Sequence, residues 1–207
     1  VMFARRLLRG AESLFRKLPG YNVIFRALPG REARNGEFHG RLKLGRGQLL
    51  QLQELVSRAE EELQLRRCGF ELACLTLLQQ MILLLARSFA ENPEEPGSAQ
   101  LRIGRLLSDL ETGCADDWTL LRMARSSSMS VSTLLRVFRE ATGTTPVEYL
   151  LRLRLERAKA LLTETGCPVG EIALLCGFHD SNYFSRKFTE RFRVSPRGYR
   201  KSIGNSY

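Results

Sequence analysis

The chain has 207 residues, of which 43% are hydrophobic, and a formal net charge of +10 at pH 7. That length and composition suffice for one large or two small folded domains, and the charge favours polyanionic partners, nucleic acid first among them. The five cysteines contain no C-x-x-C pair and only two histidines accompany them, so neither a disulfide scaffold nor a structural zinc site is expected. We expect a reducing, cytoplasmic location, with no metal and no cofactor.

Residues 1–40 are predicted to contain two short strands and a helix. Residues Val1–Phe3 and Tyr21–Phe25 are predicted to be short strands, with a helix between them from about Arg6 to Lys17. Two strands cannot form a stable sheet alone. We therefore interpret this segment as the truncated tail of a β domain, and the chain, which begins with valine, as a piece of something longer.

Residues 41–90 are predicted to form a helical hairpin. Leucines and other apolar residues recur at intervals of three and four over about 48–65, which predicts an amphipathic helix. After a turn at Cys68–Gly69, residues 70–89 are apolar on nearly all sides, and such a helix must be buried. The covering partner is either a missing domain or a second copy, and we expect a homodimer through residues 48–90.

A membrane span is not expected in this hairpin. The longest apolar stretch, residues 72–86, is interrupted by Thr76, Gln79 and Gln80. It is also shorter than the roughly 20 residues that a bilayer requires.

Residues 91–101 contain two prolines, a glycine and three acids, and are interpreted as a linker. The region 41–102 is electrically neutral by count, whereas residues 1–40 and 103–207 share the net positive charge. The last hundred residues are therefore better suited than the hairpin to contact a polyanion.

Those last hundred residues resemble themselves at an offset of 50. Each copy has a short helix with alanine at its centre, Ala124 or Ala173, followed by a longer helix, which predicts two helix-turn-helix units. Gly177 suits the left-handed residue that ends a helix, whereas the first unit has a serine triplet there. The recurring residues are Arg136, Phe138, Glu140, Pro146 and Tyr149, matched by Arg186, Phe188, Glu190, Pro196 and Tyr199.

One helix is predicted to join the two units. It begins at Pro146, with Thr144 or Thr145 as N-cap, and ends near Glu164. About 19 residues span about 28 Å, while successive major-groove faces of B-DNA recur about every 34 Å. This spacing favours double-stranded DNA over RNA.

The run from Ile172 to Phe188, which contains Cys-Gly-Phe and Asp-Ser-Asn-Tyr-Phe, is similar to the signature of the AraC/XylS transcription regulators, as is the closing Ser195-Pro-Arg-Gly-Tyr199. The resemblance covers about residues 103–201 and, in its finer detail, points to the rhamnose-operon activators. It implies a seven-helix DNA-binding domain over 102–207, preceded by a cupin-like sensor domain of which residues 1–40 would be the last strands. It also implies an activator of a sugar operon, whose L-rhamnose-like effector binds only the full-length protein.

In each longer helix, the face opposite the core phenylalanines is expected to lie in the major groove of DNA. The resemblance assigns base contacts to the same positions. Arginine can pair with guanine and asparagine with adenine, whereas Leu135 would contact at most a thymine methyl group. Phosphate contacts position the protein without specifying sequence, and are expected from Arg139, Lys187 and Arg191. The expected base-reading residues are Ser132, Leu135, Arg136, Ser181, Asn182, Ser185 and Arg186.

Other polar residues near these helices have two interpretations. Asp180 directly precedes the second long helix, which favours an N-cap over a base contact. Glu171 corresponds to an acidic position that faces the polymerase sigma subunit in the related activators, and a solvated helix-start acid is an equal alternative. Glu171 and Asp180 are kept as candidates for that contact. His179 is interpreted as a surface residue and Trp118 as part of the first core.

An enzyme is not expected, because the sequence lacks a Gly-rich phosphate loop, a Cys/His pair at plausible spacing and paired carboxylates in an apolar setting. A DNA-repair methyl-transfer protein with the same double unit needs a cysteine after a proline, whereas here Cys167 precedes Pro168. Two alternatives stay open: a helical interaction module without specific DNA binding, and an AraC-type regulator of a different pathway. The expected fold is mainly α, with two helix-turn-helix units, a linker helix, a dimerisation hairpin and a β-barrel remnant.

Overall fold

The computed structural model describes residues 12–24, 44–91 and 99–204. Within these ranges the regular structure is helical, and the expectation of a mainly α protein is confirmed. The helices are α1 (Pro19–Asn22), α2 (Arg46–Leu65), α3 (Phe70–Glu91), α4 (Ala99–Thr112), α5 (Leu120–Ser126), α6 (Val131–Thr142), α7 (Pro146–Glu164), α8 (Val169–Leu175), α9 (Ser181–Phe192) and α10 (Pro196–Gly204).

The predicted strand at Tyr21–Phe25 is wrong over its described part, because residues 21–24 are helical. Pro19 occupies the start of α1, where its missing N–H costs no hydrogen bond. Val23, whose β-branched side chain suggested a strand, is buried among helices instead. Residues 12–15 are also helical, inside the helix expected from 6 to 17. The strand at Val1–Phe3, and with it the β-barrel remnant, lies outside the described residues.

Helix α1 packs against both α3 and α4. A Cβ atom on Gly20 would lie 2.0 Å from the carbonyl oxygen of Ala86 in α3, so the two backbones are in direct contact there. The buried Asn22 donates a hydrogen bond to Ser108 Oγ of α4 at 3.1 Å. We call residues 12–24 and these two contact sites the joint, because they connect the hairpin to the second half of the chain.

Helices α2 and α3 form the predicted hairpin, with Arg66 and Gly69 in left-handed conformations at its turn. No residue of α2 is buried, and within Phe70–Ser88 of α3 the buried residues are Leu75, Leu77, Ala86 and Ser88. The burial expected of α3 is thus not provided by the described part of this chain. Seven leucines and valines of the hairpin are exposed: Leu49, Leu50, Val56, Leu63, Leu65, Leu72 and Leu78.

By length and composition alone, α3 could cross a membrane, with a mean hydropathy of 1.5 over the 19 residues Phe70–Ser88. The expectation that its apolar stretch is too short is wrong, because the helix continues beyond residues 72–86 at both ends. Helices that are buried in the core of a protein can be equally long and equally apolar. Thr76, Gln79 and Gln80 in its middle, and the polar α2 beside it, fit a protein partner better than lipid.

Two hydrophobic cores share helix α7. The first joins α4, α5 and α6 to Tyr149 and Leu150, and the second joins α8 and α9 to Leu155, Ala158 and Leu162. Helix α4 begins at Ala99, so residues 99–101 of the expected linker are helical, and residues 92–98 lie outside the described residues. Each core belongs to one of the two predicted helix-turn-helix units.

The boundaries of α7 are those that the sequence predicts, because strong local signals mark its start. Of the two candidate N-caps, Thr145 is the residue in the capping position, where its side chain accepts a hydrogen bond from the Glu148 N–H. Glu148 accepts hydrogen bonds from the Thr145 N–H and hydroxyl in return, and these bonds lower the pKa of its carboxyl. This reciprocal pair fixes where α7 leaves the first unit.

Candidate nucleic-acid interface

Each helix-turn-helix unit pairs a short helix with a longer one, α5 with α6 and α8 with α9. The alanines that the repeat identified are buried in the short helices, Ala124 with 2% and Ala173 with 1% of its surface exposed. Since protein cores are close-packed, a larger side chain at either position would push the longer helix outward. The alanines therefore set how far α6 and α9 project.

The turn after each short helix contains one left-handed residue. In the second unit it is Gly177, as the sequence predicts, with φ of 80°. In the first unit it is Ser128, with φ of 50°. The neighbouring Ser127 is buried and donates from its hydroxyl to the Met123 carbonyl at 2.8 Å. A serine triplet gives no signal of which serine takes the left-handed conformation, so the sequence alone did not identify Ser128.

Both longer helices begin with a side-chain cap. The Ser130 hydroxyl accepts a hydrogen bond from the Thr133 N–H at the start of α6. The Asp180 carboxylate accepts one from the Asn182 N–H at 2.8 Å at the start of α9. The interpretation of Asp180 as an N-cap is confirmed.

The expected base-reading residues lie on the outer faces of α6 and α9. Arg136 and Arg186 are each the sixth residue of their helix, so the two units present them equivalently. Leu135 and Ser185 are half-buried at the edge of these faces. The exposed members of the set are Ser132, Arg136, Ser181, Asn182 and Arg186.

The two arginines differ in their contacts. The Arg136 guanidinium lies 3.0 Å from Glu140 Oε1, one turn along α6. The Arg186 guanidinium instead lies 5.5 Å from the centre of the Tyr183 ring. An exposed ion pair contributes about 0–1 kcal/mol, so little free energy is lost when the guanidinium leaves Glu140 for another acceptor.

The expected phosphate contacts are basic residues beside this face. Lys187 is half-buried and donates to Glu190 at 2.8 Å, a bond that lowers the pKa of the Glu190 carboxyl. Arg191 lies 3.8 Å from Glu156 of α7, and Arg139 is exposed near the end of α6. All three lie on the recognition helices, but Lys187 and Arg191 have carboxylate neighbours that a phosphate would have to replace.

Glu171, a candidate for contact with polymerase, is exposed in the first turn of α8. The apolar side chains of Leu174 and Leu175 on the same helix are exposed as well, to 66% and 44%. Asp180, the other candidate, is itself the N-cap residue of α9. The structure therefore separates the two: Glu171 lies on the same helix as the exposed Leu174 and Leu175, whereas the Asp180 carboxylate is hydrogen-bonded at the start of α9.

Sequence reasoning missed a contact between the two units. His179, interpreted only as a surface residue, has its Nε2 2.9 Å from Asp117 Oδ1 in the loop that precedes α5. Arg154 of α7 donates to two carbonyls of the same loop, those of Cys114 and Asp116. No local sequence signal could have found these pairs, since His179 and Asp117 are 62 residues apart. Trp118 is half-buried against the first core, as expected.

Comparison with known proteins agrees with this geometry. A family profile described as a helix-turn-helix domain matches residues 123–202. The RhaS transcriptional activator of Escherichia coli O1:K1 is 35% identical over 188 residues, which cover 90% of this chain and 65% of the relative. The chain thus spans less than two thirds of that relative's length.

Two solved structures are also similar. The C-terminal domain of the response regulator yesN from Fusobacterium nucleatum is 33% identical, over 46% of this chain and 93% of that domain, with a TM-score of 0.45. An AraC-type regulator from Chromobacterium violaceum is 29% identical, over 53% and 97%, with a TM-score of 0.48. Residues 123–202 of this chain carry a helix-turn-helix domain, and the chain is similar to transcription regulators, an AraC-type one among them.

Proposed function

We propose that this chain is part of a sequence-specific transcription activator that reads two adjacent major-groove segments of double-stranded DNA with α6 and α9. The observation that carries the proposal is the equivalent placement of Arg136 and Arg186 on two recognition helices joined by α7. The likeness to RhaS, a protein named as a transcriptional activator, supports activation as the outcome.

The chemistry of the outer faces fits base recognition. Arg136 and Arg186 can each donate two hydrogen bonds to a guanine, and Asn182 can pair with an adenine, at about 1–3 kcal/mol of discrimination per base. Ser132, Ser181 and Ser185 supply adaptable hydroxyls beside them, and Leu135 supplies an apolar contact. Arg139, Lys187 and Arg191 add attraction to phosphates, which fixes register without reading sequence.

The same likeness supports a proposal for the regulated pathway. We infer a sugar operon, of the L-rhamnose type, and a sugar effector bound by the full-length regulator. Glu171, with the apolar patch of Leu174 and Leu175, is the surface that we assign to contact with the polymerase sigma subunit. We infer a cytoplasmic location from the DNA-binding function.

The hairpin supports dimerisation. Its exposed leucines lie along both α2 and α3, and a second copy of the same hairpin would cover them. A two-fold dimer would place two double units on one DNA, which increases affinity through effective concentration.

Selection of DNA from a random duplex pool by the 207-residue chain tests the function. The chosen sequence should then bind much more weakly as salt rises, by about 10³–10⁵ between 50 and 200 mM if six to ten phosphates are contacted. A shuffled duplex of the same composition is the control. Failure to enrich any sequence, with no shift at low salt, would leave the alternative of a helical interaction module, which the exposed hairpin favours.

A further inference from the structure

Helix α7 is the first connection between the two helix-turn-helix units. A second connection lies beside this helix. It consists of the loop 113–118, which precedes α5 in the first unit, the turn 176–179 in the second unit, and the side chain of Arg154. We call this set the clamp.

The two backbones of the clamp touch at Gly177. A Cβ atom there would lie 2.5 Å from the carbonyl oxygen of Ala115 and 2.9 Å from its Cα. Gly177 is therefore needed for two reasons, its φ of 80° and this close approach. A turn that only required a left-handed residue would not exclude a side chain in this way.

Arg154 connects the clamp to α7. Its Nε donates to the Cys114 carbonyl at 2.7 Å, and its Nη2 donates to the Asp116 carbonyl at 2.7 Å. The guanidinium also lies 6.0 Å from the centre of the Phe178 ring, beside the turn of the second unit. Burial lowers the pKa of Arg154, although an arginine remains charged at neutral pH.

Apart from the clamp, helix α7 connects the two cores within the described residues. Leu150 belongs to the first core and Leu155 to the second, so a bend or twist between them would turn α9 relative to α6. Long helices bend gently at little cost. A contact off the helix axis opposes both motions, because the loop and the turn would have to separate.

We propose that the clamp fixes the distance and rotation between α6 and α9, and so determines which spacing between the two DNA segments is bound. Arg154 is the positioning residue. The proposal rests on the DNA-reading function given above. One added base pair moves the second segment by about 3.4 Å and rotates it by about 34°, given about 10.5 base pairs per turn. A rigid pair of units cannot follow that change, whereas a pair hinged at α7 can.

The test is a series of duplexes in which the segments selected by the wild-type chain are separated by the selected spacing, or by one or two base pairs more or fewer. The wild type should lose about tenfold in affinity per added or removed base pair, similar to a mismatch. The variant Arg154→Met, which keeps the aliphatic stem, should lose only about twofold to threefold per base pair.

Arg152→Met is the matched control, since Arg152 is exposed on the same helix and the substitution removes the same charge. It should keep the wild-type spacing preference. If Arg154→Met is not folded by circular dichroism, Asp117→Ala and His179→Ala carry the test, because both side chains are about four-fifths exposed (79% and 81%). They should weaken the spacing preference while the melting temperature stays near that of the wild type.

Two results would overturn the inference in different ways. If the variants bind specifically with the spacing preference of the wild type, the clamp has no role in spacing, although the DNA-reading function stands. If the wild type selects no sequence, the function itself is wrong and the clamp proposal falls with it. A loss for Arg154→Met that is equal at every spacing would indicate a phosphate contact and would also contradict the proposal.

Discussion

The arginine at the sixth position of each recognition helix shows how a repeat can hide a difference between single residues. Arg136 is held by a carboxylate and Arg186 by an aromatic ring. To recognise a base, the Arg136 guanidinium must therefore leave Glu140. The Arg186 guanidinium can keep its contact with the Tyr183 ring while its N–H groups donate to a base.

Arg136→Ala and Arg186→Ala should each relax sequence preference at one base pair, in a different segment, because the guanine contact is lost. The expected loss is about 1–3 kcal/mol on the selected sequence and little on a duplex with that base pair changed. Binding to a panel of single-base variants measures this. Arg139→Ala is the comparison, as removal of a phosphate contact should weaken all sequences alike. A uniform loss for Arg136→Ala or Arg186→Ala would assign that residue to phosphate.

A second prediction concerns the buried Cys176. Burial in the second core raises the pKa of Cys176 to about 11. At pH 8 only about one thiol in a thousand would be ionised, and thiolate is the reactive form. Cys176 should therefore resist alkylation in the native chain, whereas the exposed Cys68 should react readily.

Iodoacetamide labelling followed by peptide mass analysis separates the two cysteines. Labelling of Cys176 should be slow in the native chain and become fast in guanidinium chloride. Equal rates for Cys176 and Cys68 in the native chain at pH 8 would show that the second core opens easily.

Among the elements, the joint includes a direct backbone contact between Gly20 and Ala86. Gly20→Ala would place a methyl group against the Ala86 carbonyl, and since backbone cannot give way, residues 12–24 should move off α3. Hydrogen exchange followed by mass spectrometry should then show faster exchange in peptides from this segment. Gly47→Ala is a fair control, because a Cβ atom there would meet no atom within 4 Å. Unchanged exchange in Gly20→Ala would mean that the joint is already open in solution.

Local signals explain which elements the sequence could predict. Helix α7 has a proline at its start, a threonine cap and an apolar repeat, and its bounds were predicted correctly. Helices α5, α8 and α9 follow from the internal repeat and the caps. The strand prediction is wrong over residues 21–24 because their β-branched and aromatic side chains suit a strand, whereas contact with α3 and α4 favours a helix. The clamp was not predictable, since it joins residues that are far apart in sequence.

For the molecule as a whole, the exposed surface of the hairpin is the feature that needs a partner. If a second copy covers it, light scattering should give about twice the 23.5 kDa of one chain. Leu72→Glu should shift that mass toward a monomer, because a charge would be buried in the interface.

Leu174→Glu serves as the control, as Leu174 is exposed on α8, outside the hairpin. It should leave the mass at the dimer value. A wild-type chain that stays monomeric at high concentration would contradict the dimer. A chain that is recovered only with detergent would instead favour insertion of α3 into a membrane.

The joint also bears on the order in which the chain folds. Asn22 and Ser108 are 86 residues apart, so their hydrogen bond cannot form until α4 has left the ribosome. The two helix-turn-helix cores, in contrast, are built from helices that are near neighbours along the chain, and such local contacts form quickly. The DNA-reading half should therefore reach its native packing first and serve as the surface on which residues 12–24 settle last. Until then the part of α3 around Ala86 lacks its contact with residues 12–24, and the newly made chain is at its most prone to aggregate.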